Sequence, residues 1–243
     1  MSRKKKDLPV TILHLYPHEM NIYGDWGNVL TLIRRLEWHG YTPKLVEHHP
    51  GKKFPDKVDI IVGGGGQDSG QAAVQGDLLA IAPQLRELAE EHVPMLVICG
   101  LYQLFGRFFR TAEGRTIKGI GIFKAETHGG PTRLIGNTVV SSPFGDLIGY
   151  ENHSGLTLLD DNQAAFGHII KGKGNNGTDG TEGAVYKNVF GTYLHGSLLP
   201  KNPDFADALL EAAVLHAGMP FDPMVIDDTF AGYAREVARR RPR

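Results

Sequence analysis

The tightest constraint on this fold is a repeated local pattern, a short apolar run that stops at glycine. "DIIVGGGG" (59–66) and "MLVICG" (95–100) are its clearest cases. Consecutive apolar positions leave no polar face, so such strands must be covered on both sides, as in a parallel sheet between helices. The surrounding segments agree. Val10–Tyr16 reads as a first strand, and Val29, Leu32, Ile33 and Leu36 then recur at helical spacing until Gly40. Lys44–Glu47 reads as a second strand, Asp59–Val62 as a third, and Met95–Ile98 as a fourth that delivers Cys99. Leu78, Ile81, Leu85 and Leu88 mark a helical face that breaks at Pro83 unless a new helix starts there. Alternating strands and helices predict an α/β fold with a mostly parallel sheet.

The stretch 115–195 differs in texture. Short β-like runs such as "TVVSS" and "HIIK" alternate with glycine-rich turns, and they read as a β-rich extension of the same sheet system. Helix returns in "KNPDFADALLEAAVLHAGMP", where Asn202 is placed to cap, Pro203 suits the first turn, and Gly218 with Pro220 ends the run. One domain over 9–240, preceded by a basic tail at 1–8, is the expected organisation.

Bulk properties exclude several classes. A formal net charge of −1 over 243 residues argues against nucleic acid as a partner. The basic runs Arg3–Lys6 and Arg239–Arg243 read as solvated tails. The opening segment imitates a signal peptide, but Asp7, Pro9, His14 and Pro17 interrupt it, and no run is long enough for membrane insertion. A single cysteine permits no internal disulfide, which suits a reducing cytoplasm.

That cysteine has two readings. Among Val97, Ile98 and Leu101 it is a small buried hydrophobe. At a strand-to-helix turn it is a nucleophile, because unpaired helix N–H groups favour the thiolate and Gly100 allows the tight turn. A nucleophile needs a base, and of eleven histidines His195 is best placed. It ends a predicted strand, Asn188–Leu194, and strand ends form the rim where doubly wound sheets bind ligands. The pair His48–His49 reads as a polar loop, and no metal site is expected. "VGGGGQD" (62–68) is either a flexible turn or bare backbone aimed at developing negative charge. "GHIIKGKG" (167–174) nearly fits a phosphate loop, but Gly174 stands where Ser or Thr should hold magnesium.

Together, "VGGGGQD", "VICGLYQLFG" and "FGTYLHG" resemble the class I glutamine amidotransferases, in the branch shared with the cobyric acid synthases. "MNIYGDWGN", "IGYENHSG", "KGKGNNGTDGTEG" and "GTYLHGSLLPKNP" are similar to the glutaminase subunits of lipid II isoglutaminyl synthases. The resemblance implies a flavodoxin-like three-layer fold with a β-rich C-terminal half. It also implies L-glutamine hydrolysis, with Cys99 as nucleophile, His195 as base, Arg133 and Gln103 binding substrate, and amides near Gly65 and Leu101 as the oxyanion hole. Ammonia would pass to a MurT-like partner, an ATP-dependent Mur ligase, that amidates the α-carboxyl of D-glutamate in lipid II at the inner face of the membrane. ATP and Mg belong to that partner, and this chain needs no cofactor.

One position departs from the class. An acid normally stands two residues beyond the histidine, and here that residue is Ser197. The resemblance implies that a partner aspartate completes the triad, so the isolated chain is expected to be weakly active and stimulated in a heterodimer. Alternatives are a cobyrinate-type ammonia supplier, expected to carry a fused synthetase portion, and an inactive partner-binding scaffold.

Overall fold

The structure is a computed structural model that describes residues 8–242. The expected basic tail, with Arg3–Lys6, lies outside the described residues apart from Leu8. In chain order the first elements are β1 (Pro9–Leu15), α1 (Trp26–Trp38), β2 (Thr42–His48), β3 (Ile60–Gly63), α2 (Asp68–Ala80), α3 (Ala82–Glu90), β4 (Met95–Ile98) and α4 (Gly100–Phe105). Short strands β5 (Phe108–Arg110) and β6 (Thr116–Lys118) precede a long pair, β7 (Ala125–Ser142) and β8 (Gly145–Leu159). Then come β9 (Gly167–Lys171), β10 (Thr181–Glu182), β11 (Ala184–Tyr186), β12 (Val189–Thr192), α5 (Pro203–His216) and α6 (Thr229–Arg240).

The fully apolar runs sit where their lack of a polar face requires. β3, β4 and β12 are buried throughout, and β1 is buried beyond its first residue. The first sheet has the order β2-β1-β3-β4-β12-β11, parallel except for β11 at one edge. Helices flank it, with α1 against α5, and α2 against α3 and α4. In this doubly wound order the winding reverses between β1 and β3, and ligands bind beyond the carboxyl ends of the strands at such a reversal. Pro83 does start a helix: it stands in the first turn of α3, where its missing N–H is harmless.

The middle of the chain corrects the expectation of one continuous sheet. β5–β10 form a second sheet, mainly antiparallel, around the β7–β8 pair. The reason is their pattern: along β8 buried and more exposed residues alternate, so only one face can be covered. Such a strand cannot enter a sheet sandwiched by helices. Asn202 also differs from its expected role. It holds the N-cap position of α5, but its side chain makes no capping bond. Its amide instead donates to Ile148 O at 2.9 Å and accepts from Ile148 N at 2.9 Å, pinning the second sheet to α5.

A polar seam joins the sheets. Glu151 accepts the Lys173 and Gly174 N–H groups, so an internal carboxylate fills the amide cradle of the phosphate-loop-like "GHIIKGKG". Glu182 is fully buried and accepts from the Tyr193 N–H at 2.8 Å and the Thr192 hydroxyl. Burial pushes its carboxyl up from 4.5 to about 7, against the lowering pull of those donors. The folded value lies above the unfolded one, so stability is highest below about 4.5 and falls as pH rises through about 7. The loss is on the order of 3 kcal/mol. Glu182→Gln keeps the acceptor and removes the charge, so it is expected to raise the melting midpoint at pH 8 and to flatten this pH dependence. A midpoint at pH 8 no higher than wild type would contradict the assignment.

Candidate active site

Three strands of the first sheet release their chains at one rim. β4 leads directly into Cys99, whose φ of 49° and ψ of −101° lie outside the regions open to most residues with a side chain. The turn is held at both ends: the Cys99 N–H donates to Thr192 O at 2.8 Å, and the Gln103 N–H donates to Cys99 O at 3.0 Å. α4 begins immediately after, with Cys99 at its N-cap position, so the helix's first unpaired amides follow directly on the cysteine.

β12 ends at Thr192, sooner than the pattern predicts, and His195 follows after an irregular step. Its backbone is fixed by the second sheet, donating to Tyr150 O at 2.7 Å and accepting from Tyr150 N at 3.2 Å. Tyr23 lies edge-on to the imidazole, ring centroids 5.0 Å apart. The histidine is fully buried. Burial alone would lower it, but the Cys99 sulfur and then Asp25 outweigh that effect and raise it to about 10. The imidazolium is therefore the form of His195 that the surroundings favour at neutral pH.

The glycine run follows β3, and close approach explains it. A Cβ on Gly65 would stand 2.8 Å from His195 Cε1 and 3.1 Å from Cys99 Cβ, and one on Gly64 would stand 2.8 Å from Asp25 Cβ. The loop is bare because the side chains of Cys99, His195 and Asp25 occupy the space. This changes one expectation. The Gly65 N–H donates to Asp25 Oδ2 at 2.7 Å, so it is already committed and does not serve an oxyanion. Leu101 stands in the first turn of α4, where N–H groups have no partner within the helix.

A cleft of about 490 Å³ opens beside the sulfur, lined by Cys99, Gln103, Arg133, Asn152, Ser154 and Tyr23 among others. Arg133 sits where the β7–β8 register slips between Gly129 and Leu134, a bulge that re-aims side chains. Its guanidinium donates to Asn152 Oδ1 at 3.0 Å and Asn152 O at 3.1 Å. The Gln103 carboxamide is fixed by donation to Tyr193 OH at 3.1 Å and acceptance from Gln71 Nε2 at 2.7 Å. The structure thus brings Cys99, Arg133 and Gln103 to one opening, with the buried His195 alongside the sulfur. Ser197 is not part of the relay, since its hydroxyl donates to Gly24 O at 2.7 Å. His48 is not in a polar loop either: it is buried at the end of β2, with Nε2 2.8 Å from Asp77 Oδ2.

Asp25 was not visible as a site residue in the sequence. It stands before α1 in "YGDWGN", far from both motifs in the chain. The available signal was topological: the loop after β1 must cross the same rim as the loop after its neighbour β3.

Comparison with known proteins gives the family. A family model described as a CobB/CobQ-like glutamine amidotransferase domain matches residues 11–203. The chain belongs to this family. Among curated CobB/CobQ-like relatives, a Staphylococcus aureus protein named lipid II isoglutaminyl synthase (glutamine-hydrolyzing) subunit GatD is 39% identical, covering 94% of each chain. The protein of the same name from Streptococcus pneumoniae is 36% identical over 88% of this chain and 85% of its own. A solved glutamine amidotransferase from Thermotoga maritima shares the fold with a TM-score of 0.54 at 14% identity, covering 94% of this chain and 93% of that one. Among the described residues of this amidotransferase-family chain, no helix is long and apolar enough to cross a membrane.

Proposed function

We propose that this chain hydrolyses L-glutamine and supplies the ammonia to a MurT-like, ATP-dependent Mur ligase. That ligase would amidate the α-carboxyl of D-glutamate in lipid II, in the cytoplasm beside the membrane, and would carry the ATP and Mg. The observation that carries the reading is the meeting of a Cys99 held at positive φ with a buried His195, beside a cleft that Cys99 and Arg133 line. The two GatD proteins named above support the acceptor.

The thiolate of Cys99 attacks the side-chain carboxamide carbon, forming a tetrahedral oxyanion. His195 then gives its proton to the departing nitrogen, the C–N bond breaks, and ammonia leaves a glutamyl thioester. Water, deprotonated by the same imidazole, breaks the C–S bond and releases glutamate. With Gly65 committed to Asp25, the oxyanion donors are the N–H groups of Leu101 and of Gly66, whose residue lines the cleft. Arg133 binds the substrate α-carboxylate, and Gln103 shapes the floor beneath it.

Arg133→Ala removes a charge-assisted contact distant from the scissile bond. It is expected to raise KM for glutamine about 10-fold to 100-fold with kcat within about threefold. An unchanged KM would remove Arg133 from the site. The acceptor is tested by supplying amide-¹⁵N glutamine, ATP and lipid II to the chain together with a Mur-ligase partner. Label in the α-amide of the stem-peptide D-glutamate is expected, and glutamate release without labelled lipid II would overturn the acceptor.

A further inference from the structure

The backbone of His195 is held before and after the residue. Before it, the second sheet fixes the chain through the two bonds to Tyr150, at 2.7 and 3.2 Å. After it, the chain turns through two consecutive left-handed residues, Gly196 at φ 72° and Ser197 at φ 47°. Glycine accepts that conformation freely, whereas serine holds it only where the surroundings enforce it. Lys201 enforces it here. Its Nζ donates to Gly196 O at 2.5 Å and to Ser197 O at 3.0 Å, so one ammonium ties both carbonyls of the turn.

We propose that Lys201 is a positioning residue for His195: its ammonium fastens the Gly196–Ser197 turn and so fixes where the histidine stands. Lys201 touches backbone only and leaves the imidazole nitrogens alone, and the proposal rests on the glutaminase reading. The charge has no other task. Burial pushes this ammonium below its ordinary value, and no carboxylate among the described residues opposes that shift. An uncharged stem of the same length would pack at less cost, so the head is kept for the two carbonyls. The turn also reaches the other wall of the imidazole. The Ser197 hydroxyl donates to Gly24 O at 2.7 Å, and Gly24 follows Tyr23, whose ring lies edge-on to His195. There is no slack in this contact, because a Cβ on Gly27 would overlap Ser197 Oγ. Loosening the turn therefore frees both the histidine and the aromatic ring packed on it.

The test uses the full-length chain, assayed for glutamine hydrolysis with the ligase partner if one is needed, and a thermal melt verifies that each variant folds. Lys201→Met keeps the stem and removes the donors. It is expected to lower kcat roughly 10-fold to 100-fold while KM stays within about threefold, since Lys201 is not among the residues that line the cleft. Lys201→Arg keeps donors on a broader head and is expected to recover part of the loss. Lys201→Ala leaves room for a small amine. Ethylammonium chloride is expected to raise its kcat at least about threefold, and tetramethylammonium chloride, which has no N–H, to leave it unchanged. A packing role would respond alike to both salts. The proposal is overturned by a kcat for Lys201→Met within about threefold of wild type, or by a loss in Lys201→Ala that both salts or neither relieves.

Alkylation separates this claim from the substrate assignment. Cys99 is the single cysteine, so iodoacetamide reports one site whether or not glutamine is the substrate. Its alkylation at neutral pH is expected to slow at least about threefold in Lys201→Met, because a cationic imidazole held beside a sulfur speeds its attack. If wild type releases no ammonia from glutamine but the variant alkylates more slowly, the positioning stands and the substrate assignment fails. Equal ammonia release and equal alkylation in both fail the positioning alone. Should the variants not fold, wild type labelled with ¹⁵Nζ-lysine decides. One ammonium signal that is protected from solvent exchange and shifts on alkylation of Cys99 is expected, and the absence of any such shift contradicts the proposal.

Discussion

Replacing Cys99 by alanine is expected to lower glutamine hydrolysis roughly 10⁵-fold or more, to the uncatalysed background. The magnitude follows from the chemistry: no other thiol exists in the chain, and the C–N bond breaks only after a thioester can form. Binding should survive, because Arg133 and Gln103 stand apart from the sulfur in the cleft. Folding should survive as well, since alanine is smaller and meets the same backbone strain at φ 49°. Ammonia release is the readout, with a thermal melt as control. Activity within about a hundredfold of wild type would place the nucleophile elsewhere.

The second large effect concerns a residue with no side chain. Gly65→Ala introduces a methyl 2.8 Å from His195 Cε1, 3.0 Å from Ile22 Cγ2 and 3.1 Å from Cys99 Cβ. The histidine cannot retreat, because both of its backbone groups are bonded to Tyr150 and Tyr23 closes on its ring. Either the imidazole rotates away from the sulfur, or the loop lifts and breaks the Gly65–Asp25 bond. A misplacement of that size costs roughly 10²-fold or more in kcat. The stability cost should be only about 1–3 kcal/mol, as for other overpacked sites. Gly76→Ala is the matched control: it lies exposed in α2 with nothing within 4 Å of its added methyl, so activity should be unchanged. It should gain about 0.5–1 kcal/mol of stability. Equal kcat for Gly65→Ala and wild type would show that the glycine run is a mere turn.

The first sheet was legible because strands such as Asp59–Val62 and Met95–Ile98 have no polar face and allow one kind of environment. Cys99 and His195 were legible for the related reason that each closes a strand-like run. The second sheet was not, because alternating segments such as "TVVSS" state that one face is buried without stating against what. Asn202 shows the same limit: its local pattern specifies a cap, while its bonds to Ile148 are set by a strand distant in the chain. The glycine run was read as a source of donors, yet the neighbours that require it, Asp25 and His195, arrive through topology. Asp25 carried no signal of its own beyond membership of a motif at the end of the loop after β1.

Activated by His195, the Cys99 sulfur forms a thioester with the side chain of glutamine in the reaction proposed for this chain. Carbon-labelled L-glutamine mixed with the full chain and any required partner, quenched in acid during turnover and mapped by peptide mass spectrometry, tests it directly. Label is expected on the Cys99 peptide, removable by hydroxylamine and absent from Cys99→Ala. Label absent from that peptide while glutamate is being released would contradict it.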